Sequence, residues 1–376
     1  MDRYFNIVEI DLNALAHNLA EVRRLVGPSV KIMAVVKADG YGHGAVRCGV
    51  HLAENGADAL GVMDLNEAAG LRDAGVSVPI YILAGIMPEH GFEIVDRNLT
   101  PFVYDLELAQ AMDHAAAKRG RVHDIHLKMD TGMHRLGRLF DDADEYLSKI
   151  AALKNVRVTG LATHFAEADL KDGDFINDQL DRLLALIEKA KSLGMPLALN
   201  NAANSAAVLS MPRAHLDMVR PGLMLWGDWP AEHLKPAADL KPVMTFKSKV
   251  IQVKTVQPGG TVSYGRTWKA DKPTRIAVVP TGYTHGYNRL LSNQGEALIR
   301  GRRAPVRGRV CMNLTMFDVT DIPDAAPGDD VVFLGRQGSE TITGGSIADL
   351  CGTISYEVFC VAGGLNQRHY IQGEAR

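Results

Sequence analysis

The stretch KIMAVVKADGYGHG (residues 31–44) joins an apolar run to a predicted glycine-rich turn through a single lysine, Lys37. The apolar run predicts a buried strand of a parallel sheet, which ends at this lysine. A lysine in that position lies at the rim where α/β enzymes carry their reactive groups. Partial burial makes an amine less basic and a better nucleophile toward a carbonyl carbon. Lys37 is therefore a candidate Schiff-base lysine, although most single lysines at strand ends have only a structural role.

Apolar runs of strand length recur along the chain up to about residue 226, with amphipathic helix patterns between them. The predicted strands are residues 31–37, 57–63, 80–84, 100–104, 124–129, 156–164, 197–201 and 218–226. Helical spacing is clearest in residues 176–192, where Ile176, Leu180 and Ile187 share one face. This alternation predicts an α/β fold whose first domain, residues 1–235, is a (β/α)8 barrel of the TIM type. A doubly wound open sheet is the alternative, which is disfavoured because no GxGxxG sequence follows a predicted strand.

The sequence pattern changes near residue 230. Three prolines within residues 229–242 indicate a linker. Short β-branched runs separated by turn signals follow it, and they predict strands at residues 250–256, 275–280, 295–299, 304–310, 316–319 and 330–333. The second domain, residues 236–376, is therefore predicted to be mainly β.

The composition is that of an ordinary globular protein. Of 376 residues, 47% are hydrophobic and 23% are charged, and the net charge is −3. No basic stripe or amphipathic arm points to a nucleic acid or a membrane as partner. The four cysteines show no CxxC spacing and the thirteen histidines form no HExxH pair, so no metal site is expected. Scattered thiols and an N-terminus without a signal-peptide pattern predict a cytoplasmic location.

Polar residues cluster where the predicted barrel strands end. These positions carry Lys37, Lys128 to Arg135, His164, Asn200 to Ser205, and Arg220 to Leu223. A lysine for an aldehyde, a partner for a ring nitrogen and small residues able to cradle a phosphate are what pyridoxal 5'-phosphate requires. Backbone N–H groups near Ser205 and Gly222 are the candidate phosphate contacts.

Eight segments carry a resemblance to the alanine racemase family. They are AVVKADGYGHG (34–44), LKMDTGMHRLG (127–137), THFAEAD (163–169), ANSA (203–206), VRPGL (219–223), VSYGRTW (262–268), GRVCMNLTMFDV (308–319) and TISYE (353–357). They run nearly from end to end of the chain. The resemblance implies a barrel followed by a β domain, pyridoxal 5'-phosphate as cofactor, and a head-to-tail homodimer that acts on a small amino acid. It also implies that D-alanine is supplied for peptidoglycan.

The resemblance also implies roles for individual residues. Lys37 would hold the cofactor as an aldimine and serve as one of two Cα bases. Tyr264, supplied by the partner subunit, would be the base on the opposite face. Arg220 would face the pyridine nitrogen, and because an arginine does not give up its proton, the ring would stay unprotonated. His164 and Arg220 would supply the positive charge and hydrogen-bond donors that allow a tyrosine to act as a base.

The remaining roles concern the phosphate and the substrate. The implied phosphate contacts are Tyr41, Ser205, Gly222, Leu223 and Tyr356. Arg135 would bind the substrate carboxylate, Met312 would offer a backbone contact from the partner subunit, and Tyr283 would narrow the entrance. Lys128 matches a position that is carbamylated in some members of the family.

The sequence departs from the family pattern at the substrate rim and behind the cofactor. Asn313 and Leu314 stand where aspartate and glutamine often follow the Cys-Met pair, and Thr284-His285 replaces Ala-Asp. Asn201 replaces a histidine, and the final arginine-rich motif is altered in residues 365–368. These changes leave the proposed bases and phosphate contacts intact, and they bear on substrate breadth and interface strength.

Three other functions are alternatives to an alanine racemase. A broad-specificity or serine racemase of the same fold would fit the departures at the substrate rim. A barrel-type decarboxylase would carry an acidic residue at the pyridine nitrogen, which Arg220 argues against. A non-catalytic pyridoxal-phosphate-binding protein of the single-barrel kind would lack the β domain and therefore Tyr264.

Overall fold

The computed structural model describes residues 5–372. The first four residues, part of the segment without a signal-peptide pattern, lie outside this range. The described chain forms two compact units. The barrel unit comprises Leu15–Gly40 and Ala45–Lys241, and the β unit comprises the residues up to Ala14, Tyr41–Gly44 and the chain from Pro242 onward.

The barrel unit is a ring of parallel strands. With strands numbered in chain order after β1 (Ile7–Asp11), they are β2 (Lys31–Val35), β3 (Ala59–Val62), β4 (Ile80–Ile82), β5 (Thr100–Val103), β6 (His123–Asp130), β8 (Val156–Ala162) and β9 (Met218–Val219). Each strand pairs with the next from β2 to β6 and then to β8, while the short β7 (Arg138–Leu139) pairs with β6. Asn201 bridges β8 to β9, and β9 pairs back with β2, which closes the ring.

The helices of the barrel unit follow the strands in alternation. They are α1 (Leu12–Val26), α2 (Ala45–Glu54), α3 (Leu65–Asp73), α4 (Gly91–Asp96), α5 (Leu106–Lys118), α6 (Ala143–Ala151), α7 (Phe175–Ser192) and α8 (Ser205–Ser210). Three of them begin at a short polar residue whose side chain accepts a hydrogen bond from the first turn: Asp64, Asp105 and Asn204. The barrel interior is filled by side chains from several strands: Met33, Ala59, Tyr81, Phe102, Ala162 and Met218.

The β unit contains the remaining strands. They are β10 (Met244–Lys249), β11 (Gln252–Val256), β12 (Thr261–Val262), β13 (Trp268–Lys269), β14 (Thr274–Val279), β15 (Glu296–Ile299), β16 (Arg302–Pro305), β17 (Thr315–Asp318), β18 (Asp330–Gln337), β19 (Glu340–Ile342) and β20 (Gln367–Ile371). The largest sheet has the order β16-β15-β18-β10-β1-β20, and β11-β14-β17 form a second sheet. Two helices, α9 (Gly344–Cys351) and α10 (Ser355–Leu365), precede the last strand.

The predicted fold class is confirmed, while some elements differ in their bounds and several strands were not predicted. The predicted strand 218–226 was too long, because β9 ends at Val219 and a 3-10 helix, Leu223–Trp226, follows. The predicted strand 197–201 is reduced to the bridge at Asn201. Strand β1 was not predicted, and it pairs with β10 and β20, which lie more than 200 residues away along the chain.

Within residues 5–372, no single helix is both long and apolar enough to span a bilayer. The bent pair α9 and α10 meets the length and composition criteria only when its two helices are taken together.

Candidate active site

One turn of left-handed helix follows Lys37, which lies two residues beyond the end of strand β2. Ala38, Asp39, Gly40 and Tyr41 all have φ between 51° and 63°. Such a turn costs free energy for residues other than glycine, so it persists only where its surroundings hold it. Two contacts brace it: the Gly40 N–H donates to the Val36 carbonyl at 2.8 Å, and the Asp39 carboxylate accepts from the Ala45 N–H at 2.8 Å. Sequence reasoning predicted a turn here but not its hand.

Glu67 in helix α3 ties this turn to the neighbouring strand. One carboxylate oxygen accepts from the Ala38 N–H at 2.7 Å, and the other accepts from the Met63 N–H at 2.7 Å, just beyond β3. Charge-assisted hydrogen bonds of this kind are among the stronger ones in proteins. Glu67 therefore helps to fix the backbone that carries Lys37, a role that no sequence motif indicated.

Substitution Glu67→Ala should destabilise the protein by about 1–2 kcal/mol, because it removes two charge-assisted hydrogen bonds at a half-buried site. Glu67→Gln keeps only one oxygen acceptor and should fall between Glu67→Ala and wild type. Thermal unfolding of the three proteins measures the order. Equal midpoints for all three would show that Glu67 does not hold the turn.

Arg220 follows strand β9 and is buried, with 6% of its surface exposed. Its Nη2 donates to the Thr163 carbonyl at 2.7 Å, to the Ala202 carbonyl at 3.1 Å and to His164 Nδ1 at 3.2 Å, while Nη1 donates to Asn201 Oδ1. Burial, with the charge of Arg135, lowers the pKa of Arg220 to about 10. The guanidinium still carries its proton at neutral pH, and its acceptors hold it in one place.

His164 lies beside Arg220 in the loop after β8. Burial, and then the charge of Arg220, hold the pKa of His164 well below its ordinary value, so the ring is neutral near pH 7. Because Nδ1 accepts a hydrogen bond from the guanidinium, the single ring proton is on Nε2. The Arg220 charge and the His164 Nε2–H donor thus lie together.

Lys128 is buried near the end of strand β6, close to Arg220 and Arg135. Burial, followed by the charges of these two arginines, lowers the pKa of Lys128 well below its ordinary value, and Asp130 opposes the effect. Asp130 Oδ1 already accepts hydrogen bonds from the Gly132 and His134 N–H groups. Arg135 and Arg220 thus both act on Lys128 as like charges, opposed by one engaged carboxylate, and the charge of Lys37 also reaches His164. Such a site suits an anionic ligand.

The three barrel residues predicted to cradle a phosphate are brought together. Ser205 Oγ, at the start of α8, accepts from the Gly222 N–H at 2.9 Å and from the Met224 N–H at 3.3 Å. Leu223 lies between them at the start of the 3-10 helix. All four residues are buried at the end of β9, so hydroxyl and backbone N–H groups are concentrated at this point.

The other predicted residues belong to the β unit. Tyr41 packs against Tyr356 with ring centroids 5.8 Å apart, and burial raises the pKa of Tyr41. Tyr356 lies in helix α10. Tyr264 starts a short 3-10 turn and is 71% exposed in the single chain, and Met312 is 55% exposed.

Behind Arg220 lies a buried residue that sequence reasoning missed, His126. Its Nε2 is 2.7 Å from Asn201 Nδ2, and its ring stacks on Phe102 with centroids 5.0 Å apart. A signal was present in the sequence, because alternate residues of a strand share a face and His126 precedes Lys128 and Asp130 by two and four positions.

The neutral His126 ring should make the stability of the protein depend on pH. Burial, with the charges of Arg220 and Lys128, lowers the pKa of His126 to about 3. An unfolded histidine takes up a proton near pH 6.5, so between pH 6.5 and 3 the unfolded state binds more protons and stability falls as the pH falls. Over this pH range, the His126→Phe protein should lose about 1.4 kcal/mol less stability per pH unit than the wild type. Unfolding free energies at pH 6.5 and 5 measure it, and parallel losses in mutant and wild type would contradict the expectation.

No group of three or more His, Cys, Asp or Glu side chains among residues 5–372 is arranged to hold a metal ion. The four cysteines, all within this range, are not joined in disulfide bonds.

Comparison with known proteins extends these findings to the whole chain. The family models for the alanine racemase N-terminal and C-terminal domains match residues 10–230 and 243–370. An alanine racemase of Desulfosudis oleivorans is 45% identical and aligns over 98% of this chain and 97% of its own. The crystal structure of alanine racemase from D-cycloserine-producing Streptomyces lavendulae superposes with a TM-score of 0.94 at 33% identity, covering 100% of this chain and 99% of that one. The alanine racemase from Bacillus anthracis with bound L-Ala-P gives 0.90 at 29% identity, covering 99% and 96%. This chain therefore belongs to the alanine racemase family.

Proposed function

We propose that this protein interconverts L-alanine and D-alanine with pyridoxal 5'-phosphate bound at the barrel rim, and that it supplies D-alanine for peptidoglycan in the cytoplasm. The observation that carries the proposal is the Arg220 guanidinium, buried and held by four acceptors within a group of basic side chains. This donor set fits a ligand with a phosphate and a pyridine nitrogen. Family membership and the L-Ala-P bound by the Bacillus anthracis relative support an alanine-like substrate.

Each part of the cofactor would have its own contacts. Lys37 would hold it covalently, Arg220 and His164 would contact the ring side, and the phosphate would lie against the following set: Tyr41, Ser205, Gly222, Leu223 and Tyr356. When bound, pyridoxal 5'-phosphate supplies the electron-withdrawing ring that makes the Cα proton of an amino acid acidic. An arginine donates a hydrogen bond to a ring nitrogen without transferring a proton, which limits how much charge the ring withdraws.

Two proton acceptors on opposite faces of Cα allow racemisation without turning the substrate over. We assign the role toward D-alanine to the Lys37 amine and the role toward L-alanine to the Tyr264 hydroxyl. Arg135 would bind the substrate carboxylate as a charge-assisted pair, and Met312 would offer a backbone contact. The exposure of Tyr264 and Met312 in a single chain supports a homodimer in which the partner subunit covers them.

The rim of the substrate site gives one specific reason to test substrate breadth. Thr284 Oγ1 donates to the Met312 carbonyl at 2.8 Å and accepts from Asn313 Nδ2 at 2.9 Å. Two departures from the family pattern thus bond to each other at the proposed substrate contact. A broad-specificity or serine racemase is accordingly the second candidate function.

The deciding experiment combines a spectrum with an assay. Purified protein should show the absorbance of a covalently held cofactor. Borohydride should change this absorbance and fix the cofactor to Lys37, and a peptide map should identify the labelled residue. The same protein should interconvert D- and L-alanine faster than serine, lysine or arginine. Cofactor without turnover of any of these amino acids would support a carrier role, and faster turnover of serine would favour the second candidate.

A further inference from the structure

A continuous chain of hydrogen bonds runs from Arg220 away from the site into the barrel wall. Arg220 Nη1 donates to Asn201 Oδ1, and Asn201 Nδ2 lies 2.7 Å from His126 Nε2. His126 Nδ1 lies 3.2 Å from Thr159 Oγ1, whose hydroxyl donates to the Ile125 carbonyl at 3.2 Å. Asn201 and His126 are fully buried, so no water contact substitutes for these bonds.

The direction of every bond in this chain is fixed. A guanidinium has only N–H donors, so the amide of Asn201 must present its oxygen to Arg220. Its nitrogen then points the other way and donates to the Leu199 carbonyl at 3.1 Å and to His126 Nε2. His126 Nε2 must therefore be unprotonated, and the ring proton must be on Nδ1, facing Thr159.

The barrel wall is shaped to admit this ring. At the point where His126 pairs with Gly160, the register of β6 and β8 shifts and leaves Thr159 as an extra residue in β8. A bulge of this kind redirects a side chain, here the Thr159 hydroxyl toward His126. A Cβ on residue 160 would come within 2.6 Å of His126 Cε1, so only glycine leaves room for the imidazole. Tyr81 meets the ring edge-on with centroids 5.6 Å apart.

We propose that His126 and Asn201 are positioning residues that hold Arg220 as a fixed hydrogen-bond donor toward the cofactor ring. The Nδ1–H tautomer of His126 is the element that selects the orientation of the Asn201 amide. With the opposite tautomer, or with a doubly protonated ring, two N–H groups would face each other at Nε2, and the amide would turn its nitrogen toward the guanidinium. The role of these residues toward the cofactor ring rests on the proposed function. The tautomer of His126 and the orientation of the Asn201 amide do not depend on it.

Three variants separate the contributions. His126→Phe keeps an aromatic ring against Phe102 but removes the nitrogen that accepts from Asn201. Asn201→Leu removes the amide oxygen and nitrogen and keeps a side chain of similar volume. His126→Gln restores a side-chain oxygen that can accept from Asn201. The matched control is His123→Phe, since His123 lies in the same strand and is also buried, but its Nε2 bonds to the Leu99 carbonyl at 2.8 Å.

The first measurement needs no cofactor or activity. Nitrogen-15 NMR of histidine-labelled apoprotein, with the His126 signals identified by their loss in His126→Phe, should show Nδ1 protonated and Nε2 unprotonated. Asn201→Leu should lose this preference, and His123→Phe should retain it. A wild-type ring protonated on Nε2 would overturn the proposal, whether or not the protein is a racemase.

The second measurement concerns the loaded enzyme. Loss of one buried hydrogen bond corresponds to roughly a tenfold change in an equilibrium or rate. We expect His126→Phe and Asn201→Leu to lower kcat and weaken cofactor binding by about that factor and to shift the absorbance maximum of the bound cofactor. The KM for alanine should change less, because Arg135 holds the carboxylate, and His126→Gln should recover part of kcat. An unshifted spectrum and an unchanged kcat in His126→Phe would refute the positioning role, whereas an inactive wild type with the expected tautomer would refute only the racemase function.

Discussion

Replacing Lys37 by alanine should abolish both the absorbance of the covalently held cofactor and racemase activity. The substitution removes the only group that we assign to holding the cofactor covalently and also one of the two Cα bases. Loss of a positioned acid–base group alone lowers a rate by about 10²–10⁴-fold, and loss of covalent attachment adds to this. Racemisation assays measure the loss of activity, and absorbance spectra with borohydride labelling of the purified mutant measure the loss of covalent attachment.

Two comparison variants make the Lys37 result specific. Lys37→Arg keeps a positive charge beside His164 but offers no nucleophilic amine, so it should also be inactive. Lys31→Ala changes a lysine at the opposite end of the same strand, where its amine pairs with Asp58 at 2.9 Å, and it should keep the cofactor and activity. An active Lys37→Ala protein with an unaltered spectrum would remove the basis for the proposed cofactor chemistry.

Much of the barrel was predictable from the sequence because its signals are local. Apolar runs of strand length end at polar residues, and the carboxyl ends of parallel strands meet at one rim, so the sequence alone is enough to group Lys37, His164 and Arg220. The structure places these three within one electrostatic environment, since the charges of Lys37 and Arg220 both act on His164.

Features that depend on contacts distant in sequence were not predictable in this way. Strand β1 carries a period-two pattern too short to stand out, and its pairing with β10 and β20 is set by tertiary packing. The strand before α8 is a single bridge at Asn201, because side chains take the place of backbone partners beside it: the Leu161 N–H donates to Asn200 Oδ1 at 3.0 Å, and the Asn200 N–H donates to Asp217 Oδ2 at 2.9 Å. The left-handed turn after Lys37 depends on Glu67, which lies thirty positions later.

The catalytic role of Tyr264 likewise depends on a contact that one chain alone does not provide. Its motif is recognisable, but a residue that is 71% exposed in one chain takes its function from whatever covers it. No property of the barrel rim alone identifies which tyrosine completes the site. The substitution that tests this role therefore has to test the subunit origin of Tyr264 as well.

Substitution Tyr264→Phe should lower racemisation by about 10²–10⁴-fold while leaving the cofactor spectrum unchanged, because it removes one hydroxyl and retains the ring. Exchange of the Cα proton with solvent should be lost from L-alanine and retained from D-alanine, where Lys37 is the proposed base. Tyr104→Phe is the control, since Tyr104 lies in the barrel unit and its hydroxyl donates a hydrogen bond to the Ile86 carbonyl at 3.4 Å. Unimpaired exchange from L-alanine in Tyr264→Phe would contradict the two-base assignment.

Mixing the two inactive proteins determines which subunit supplies Tyr264. If the partner supplies it, a hybrid of one Lys37→Ala chain and one Tyr264→Phe chain has one site with both defects and one site with neither. Random reassociation of equal amounts should then restore about a quarter of the wild-type activity, since half of the dimers are hybrids with one intact site each. If each chain supplied its own Tyr264, every site in every dimer would lack one base, and the mixture would stay inactive. Recovery of activity on mixing thus requires that the two proposed bases of one site come from different chains.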